Sequence, residues 1–275
     1  RDLLIPADVP PETKDIYLKY YSSYRIRELA QRKRGTRHTD LWQQLNLLFN
    51  SLQSGNPALG LPALGSYLFR AESTPDLADC LISNSDLLAA FRSLCYTQKN
   101  NVFQPINYRN LGPEELGSVY ESLLEMSPEV DLAAGYFKLS IISGSERKTT
   151  GSYYTPTSLV NCLLDSALEP VIDNALHSAH TGNLLPEQAL LALKICDPAC
   201  GSGHFLIAAA HRIAKRLASI RAGEDEPAPS VIQHALRDVI CHCIYGVDIN
   251  PMAVELCKIS LWIEALDPGK PLTFL

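Results

Sequence analysis

Asp197-Pro198-Ala199-Cys200-Gly201-Ser202-Gly203-His204-Phe205 is the stretch from which the architecture can be read. Before it stands Lys194-Ile195-Cys196-Asp197, a short apolar run ending in an acid, as a buried strand does. After it, Leu206, Ala210, Ile213, Leu217 and Ile220 repeat at helical spacing, which predicts a helix from His204 to about Ala222. Gly201 and Gly203 let the chain turn tightly and come close to a ligand. The helix beginning at His204 aims its free N–H groups over that turn. Further on, Gly223 to Ser230 reads as a Pro- and acid-rich loop, followed by another helix. Ile244-Tyr245-Gly246-Val247-Asp248 is a second short strand ending in an acid, and Pro251 opens a helix to about Leu266. Strand, turn, helix, strand, helix is the start of an open parallel α/β sheet, in which ligands sit over the carboxyl ends of the strands.

The turn fits neither common phosphate grip. A dinucleotide site needs G-x-G-x-x-G with an acid about 20 residues on. Here the third glycine position is Leu206, and Asp248 lies 45 residues after Gly203. No G-x-x-x-x-G-K-[ST] is present. What remains is a nucleoside site, with Asp248 placed to accept hydrogen bonds from both ribose hydroxyls, or an ordinary glycine turn with Asp248 capping the helix at Pro251.

The chain ahead of this region reads as mainly helical. Asp40 is placed to cap a helix carrying Leu41, Trp42, Leu45, Leu48, Phe49 and Leu52, which Ser54-Gly55-Asn56-Pro57 stops. Leu87 to Leu94 is a second helix, and Pro113-Glu114-Glu115 opens a third. Residues 143–152 lack apolar side chains and read as an exposed loop, which sets the expected division at 1–150 and 151–275. Thr157 or Ser158 caps a helix to about Leu176, residues 177–185 form a polar loop, and a short helix follows Pro186.

Hydrophobic residues make up 46% and charged residues 20%, the profile of a folded soluble protein. No apolar stretch reaches the roughly 20 residues that cross a bilayer, so no membrane partner and a cytoplasmic setting are expected. Eight cysteines, none in C-x-x-C, read as reduced thiols, with Cys196, Cys241, Cys243 and Cys257 expected buried. Cys241-His242-Cys243 invites a zinc reading, but no second ligand pair stands nearby, and no metal is expected. Net charge is −6, yet Lys14 to Arg37 holds eight basic residues against two acidic ones, interleaved with Tyr17, Tyr20, Tyr21 and Tyr24. This segment is either a solvated helix face or a contact for phosphate or another subunit.

The whole string 197–206 resembles, almost letter for letter, the glycine-rich cofactor motif of N6-adenine-specific DNA methyltransferases of the restriction–modification and phage-defence type. Two further segments resemble the same family in the right order. They are Gly151-Ser152-Tyr153-Tyr154-Thr155-Pro156 upstream, and Tyr245-Gly246-Val247-Asp248-Ile249-Asn250-Pro251 with Ala253-Val254-Glu255-Leu256 downstream. Leu116-Gly117-Ser118-Val119-Tyr120-Glu121 is similar to the end of the helical region that precedes the family's catalytic core. The three core motifs span 151–266; the N-terminal part is matched only weakly.

The resemblance implies an incomplete Rossmann-like core that binds S-adenosyl-L-methionine, preceded by a mainly helical N-terminal domain. It implies that Tyr154, Thr155 and Pro156 contact the methionine carboxylate, that Asp197 binds the methionine amino group or a water, and that Ala199, Gly201 and Gly203 line the cofactor. Asp248 would hold the ribose and Ile249 would pack on the adenine ring. Asp197 as a turn cap, Thr155 as a residue just before a helix and Phe205 as core are the bland counterparts. The family's Asn/Asp/Ser-Pro-Pro-Tyr/Phe segment, which holds the flipped target base, is absent; Pro10-Pro11 follows Val9 and precedes Glu12. No catalytic residue is therefore assigned. The chain is expected to be an excised or processed piece, inactive by itself, of a protein acting on double-stranded DNA with a nuclease or specificity domain or subunit. An RNA or protein methyltransferase, or a helical DNA-binding or docking module, are the competing classes.

Overall fold

A computed structural model describes residues 4–6, 8–65, 69–75, 79–99, 102–108, 115, 117–119, 122, 126–141, 155–182 and 184–267. The chain forms two compact units, residues 1–110 with 266–275, and residues 111–265. Helices dominate the described residues, with three small two-stranded sheets and no closed barrel among them. No helix among them is long and apolar enough to cross a membrane.

The first unit starts with α1 (Pro11–Ile16), a π-helical turn (Tyr17–Tyr21) and α2 (Ser23–Arg32). Ser22 caps α2, its side chain accepting from Arg25 N–H. Helix α3 (Asp40–Ser54) buries Leu41, Trp42, Leu45, Leu48 and Leu52, most of the expected stripe; Phe49 faces out. Asp40 is the first helical residue rather than the cap, since its carboxylate accepts from Asn84 Nδ2 at 2.8 Å instead. Helix α4 (Asn84–Cys95) is capped by Ser83 and buries Leu87 and Leu88 near Ile26 and Ala30 of α2, with which it makes the main packing of this unit. Each fully buried Leu or Ile of this kind contributes about 1.5–3 kcal/mol.

The expectation of a mainly helical N-terminal part did not include two antiparallel hairpins. β1 (Tyr96–Lys99) pairs with β2 (Val102–Pro105) in the first unit. β3 (Met126–Asp131) pairs with β4 (Tyr136–Ile141) in the second. Their strands are largely exposed, so they lack the apolar alternation that marks a strand in sequence. In the second hairpin Asp131 Oδ1 accepts from Ala133 and Ala134 N–H, a turn that needs no Asn-Gly pair. Most of the helix expected at Pro113, and the loop 143–152, lie outside the described residues.

The second unit continues with α5 (Thr157–Leu163), a π-helical turn (Leu164–Leu168) and α6 (Glu169–Thr181). Pro156, not Thr157 or Ser158, occupies the cap, without a side-chain hydrogen bond. The helix outlasts the expected Leu176 because Ala179 is buried and prolongs its apolar face into the stretch read as loop. Next come α7 (Pro186–Leu191), β5 (Ile195–Asp197), α8 (His204–Ala222), α9 (Pro229–Cys243), β6 (Ile244–Gly246) and α10 (Pro251–Ala265), in the expected order. β5 and β6 are parallel, with Ile195 opposite Ile244 and Asp197 opposite Gly246. Helix α8 buries Leu206, Ile207, Ile213 and Leu217 among four alanines, whose small side chains let α9 approach closely. Arg212 pairs with Asp165 and Glu169 at 2.7 and 2.8 Å, and Arg221 with Glu187 and Asp238 at 2.5 and 2.7 Å. These half-exposed pairs fix orientation more than they stabilise.

The cysteines are all free, but their placement differs from expectation. Cys196 and Cys241 are exposed; Cys200, Cys243 and Cys257 are buried. Among the described residues β5 pairs only with β6, which leaves Cys196 exposed, and Cys241 falls on the solvent side of α9. Cys243 turns inward and donates from Sγ to Leu190 O at 3.5 Å. Burial pushes its thiol up to about 11. Among the described residues no three His, Cys, Asp or Glu side chains converge as a metal site.

Candidate functional site

The parallel pairing of β5 and β6 does not stop where the strands end. Val247 N–H donates to Asp197 O and Cys200 N–H to Val247 O, each at 2.9 Å, carrying the ladder into the loops above. The turn then closes on itself through Gly203 N–H to Cys200 O at 2.8 Å. Gly203 has φ 88°, and a Cβ there would stand 2.7 Å from Cys257 Sγ, so only glycine fits. Cys200 and Cys257 lie buried together under the loop, and burial raises both thiols. They are packing groups in their neutral form.

Two carboxylates end the two strands. Asp197 Oδ1 accepts from Ala199 N–H at 3.0 Å. Asp248 Oδ2 accepts from Gly201 N–H at 2.9 Å, and its Oδ1 from Asn250 N–H at 2.8 Å. Thus the glycine turn and the second acid meet directly, each strand end reaching over to the other. Part of the cap role foreseen for both acids is real. A carboxylate nonetheless has about four acceptor positions, so neither acid is saturated by these bonds. A Cβ on Gly201 would meet nothing within 4 Å, so its backbone borders open space. Ile249 is 90% exposed beside it.

The site residues expected from sequence fall into three groups. Asp197, Ala199, Gly201, Gly203 and Asp248 come together with Ile249 at the tops of β5 and β6. Thr155 and Pro156 stand at the start of α5, with no hydrogen bond to that loop among the described residues. Tyr154 lies outside the described residues. Sequence reading gave no role to Gly246, where a Cβ would come within 2.9 Å of Leu206 Cδ1. Nor did it see that Cys200 anchors the loop. The glycine's place at a strand end was the only available signal for the first.

A cavity of about 550 Å³ flanks β5, lined by Leu163, Leu164 and Leu168 on one side and by Cys196, Ala199 and Phe205 on the other. Asp197 and Pro198 also line it, so it reaches the same strand end. Neither Asp248 nor Ile249 borders it. Phe205, expected in the core, is half-buried at its wall. The strand end therefore separates a polar side, at Asp248, from an apolar side, at Leu164 and Phe205.

Comparison with known proteins gives a class first. Residues 176–268 match the family described as MmeI, DNA-methyltransferase domain. Particular relatives agree. A candidate type II restriction enzyme and methyltransferase from Methanocaldococcus jannaschii is 24% identical over 239 residues, covering 75% of this chain and 18% of that protein. The adenine-specific methyltransferase PglX of Streptomyces coelicolor is 30% identical over 125 residues, covering 46% of this chain and 9% of that protein. The chain thus spans under a fifth of the length of these relatives. No solved structure matches. The chain is similar to methyltransferases of the restriction–modification type, as its motifs led us to expect.

Proposed function

We propose that residues 151–275 are the first part of a Rossmann-like core that binds S-adenosyl-L-methionine, within a DNA adenine-N6 methyltransferase of the restriction–modification or phage-defence type. Residues 1–150 are its N-terminal domain. The observation that carries this reading is the 2.9 Å hydrogen bond from Gly201 to Asp248, which joins glycine turn and strand-end acid. The open space at Gly201 and the bare side chain of Ile249 suit a nucleoside laid across the strand ends.

In this reading Asp248 accepts from the ribose hydroxyls with the lone pairs its two N–H partners leave. Ile249 covers the adenine ring. Asp197 takes the amino group, while Ala199 and Gly201 offer accessible backbone and Gly203 makes the tight turn behind them. Tyr154, Thr155 and Pro156 face the methionine carboxylate. The bound cofactor supplies an electrophilic methyl group; this chain orients it and shields it from water. Double-stranded DNA is the substrate of the whole protein.

Ultraviolet labelling of the chain with methyl-labelled S-adenosylmethionine tests the reading and tolerates weak binding. Label in the peptides holding 197–205 or 245–250 is expected, displaced by S-adenosylhomocysteine but not by NAD, and reduced at least tenfold by Asp248→Ala. No label at millimolar cofactor, or equal displacement by NAD, sinks it. The adenine assignment is tested on DNA treated with the whole protein: methylcytosine without N6-methyladenine refutes it.

A further inference from the structure

We propose that the segment 32–37, Arg32-Lys33-Arg34-Gly35-Thr36-Arg37, from the last residue of α2 into the loop after it, is a docking surface for the phosphate backbone of duplex DNA. It places four cations within six residues, all exposed, with no acid among them. Arg32 makes one loose contact, 4.0 Å from Glu28, with 72% of its side chain exposed. Among the described residues, Lys33, Arg34 and Arg37 pair with no carboxylate. In a protein of net charge −6 this is a concentrated exception.

The loop is also held in place. Asn84 N–H donates to His38 O at 2.6 Å and Ser85 N–H to Thr36 O at 3.0 Å, so the loop lies across the first turn of α4. Gly35, at φ 87°, comes so close that a Cβ would stand 2.6 Å from the Asn84 carbonyl carbon. Arg92 clamps the approach, donating from Nε to Ala30 O at 2.8 Å and from Nη2 to Lys33 O at 2.7 Å. A backbone this constrained under free cations presents charge without first having to be ordered. The segment reaches at most about 18 Å. It can therefore follow no more than about five phosphates of one strand at 3.4 Å along the helix axis.

The choice of DNA among polyanions rests on the proposed function; the charge and rigidity of the loop do not. Phosphate contact is a matter of charge, so affinity should fall with salt, by about −0.9 in log–log slope for each phosphate neutralised. The test is fluorescence titration of a labelled 20-base-pair duplex with the 275-residue chain, without methyl donor, from 50 to 200 mM salt. A slope of about −3.6 is expected for four cations, equivalent to roughly a 150-fold loss of affinity over that range. In Arg34→Ala/Arg37→Ala the slope should drop to about −2. Arg34→Lys/Arg37→Lys should keep it, which separates charge from folding, and Lys138→Ala in β4 should leave it unchanged. An unaltered slope in the alanine variant overturns the proposal. So does a Lys138→Ala effect of the same size, or tighter binding of single-stranded RNA or polyglutamate than of the duplex. Because this assay holds no methyl donor and the labelling experiment holds no DNA, the two readings fail separately.

Discussion

Loop 33–38 and loop 198–203 are built alike and end differently. Each lies at the first turn of a helix, and each carries a glycine near φ 88° pressed against its support, Gly35 on the backbone of Asn84 and Gly203 on the thiol of Cys257. Over α4 the helix start is closed: Ser83 Oγ accepts from Asp86 N–H at 3.2 Å, and loop carbonyls take the N–H groups of Asn84 and Ser85. Over α8 no side chain caps the helix, and the carboxylate that meets the turn comes from the neighbouring strand. The same glycine device thus serves to seal one helix terminus and to leave the other facing outward. A glycine turn in a sequence does not by itself tell these apart; the residues that follow do.

The comparison can be broken by substitution. Gly35→Ala should cost most, about 3–4 kcal/mol, since left-handed strain adds to a clash with backbone that cannot yield. Denaturant unfolding followed by Trp42, in the first unit, reads it; a loss below 1 kcal/mol would show that the loop lifts off easily. Gly203→Ala should cost about 2–3 kcal/mol, less because a thiol can shift, read through Trp262 in the second unit. If both variants lose the same amount, the supports are equally rigid and the contrast is wrong.

Alkaline pH probes the buried thiols of the second unit, among them Cys257, on which the second loop rests. Burial raises Cys243 to about 11 and raises Cys257 as well, so the fold favours their neutral form. That stabilisation is complete below the unfolded thiol value near 9 and is lost as pH rises towards 11. About 2 kcal/mol should disappear over this window, visible at Trp262 and blunted by Cys243→Ala. A flat profile would place both thiols in contact with water. The smallest effect is Ser83→Ala, about 1 kcal/mol for a lost cap, with no change at Trp262.

Much of the second unit was legible because its signals are local and agree with one another. Apolar runs of strand length end in Asp197 and at Val247-Asp248, glycines follow the first, and a long apolar face follows the glycines. The convergence of Asp248 on Gly201 was inferable only from the parallel order of the strands, and the structure supplies the bond. The exposed hairpins escaped because strands that bury little leave no period-two pattern. Asp40 was misread as a cap because its partner, Asn84, lies 44 residues away. The cysteines misled for a related reason: neighbouring apolar residues report an element's average burial, not the side on which one thiol falls.

The ladder that runs past the ends of β5 and β6 has a consequence for affinity. Backbone amides at Cys200, Gly201 and Val247 are already fixed by hydrogen bonds to the opposite strand end, so whatever settles there meets a surface with little conformational freedom left to lose. Discrimination between related nucleosides would then follow from shape and hydrogen-bond match alone, and slow amide hydrogen exchange at those three positions should be seen before any small molecule is added.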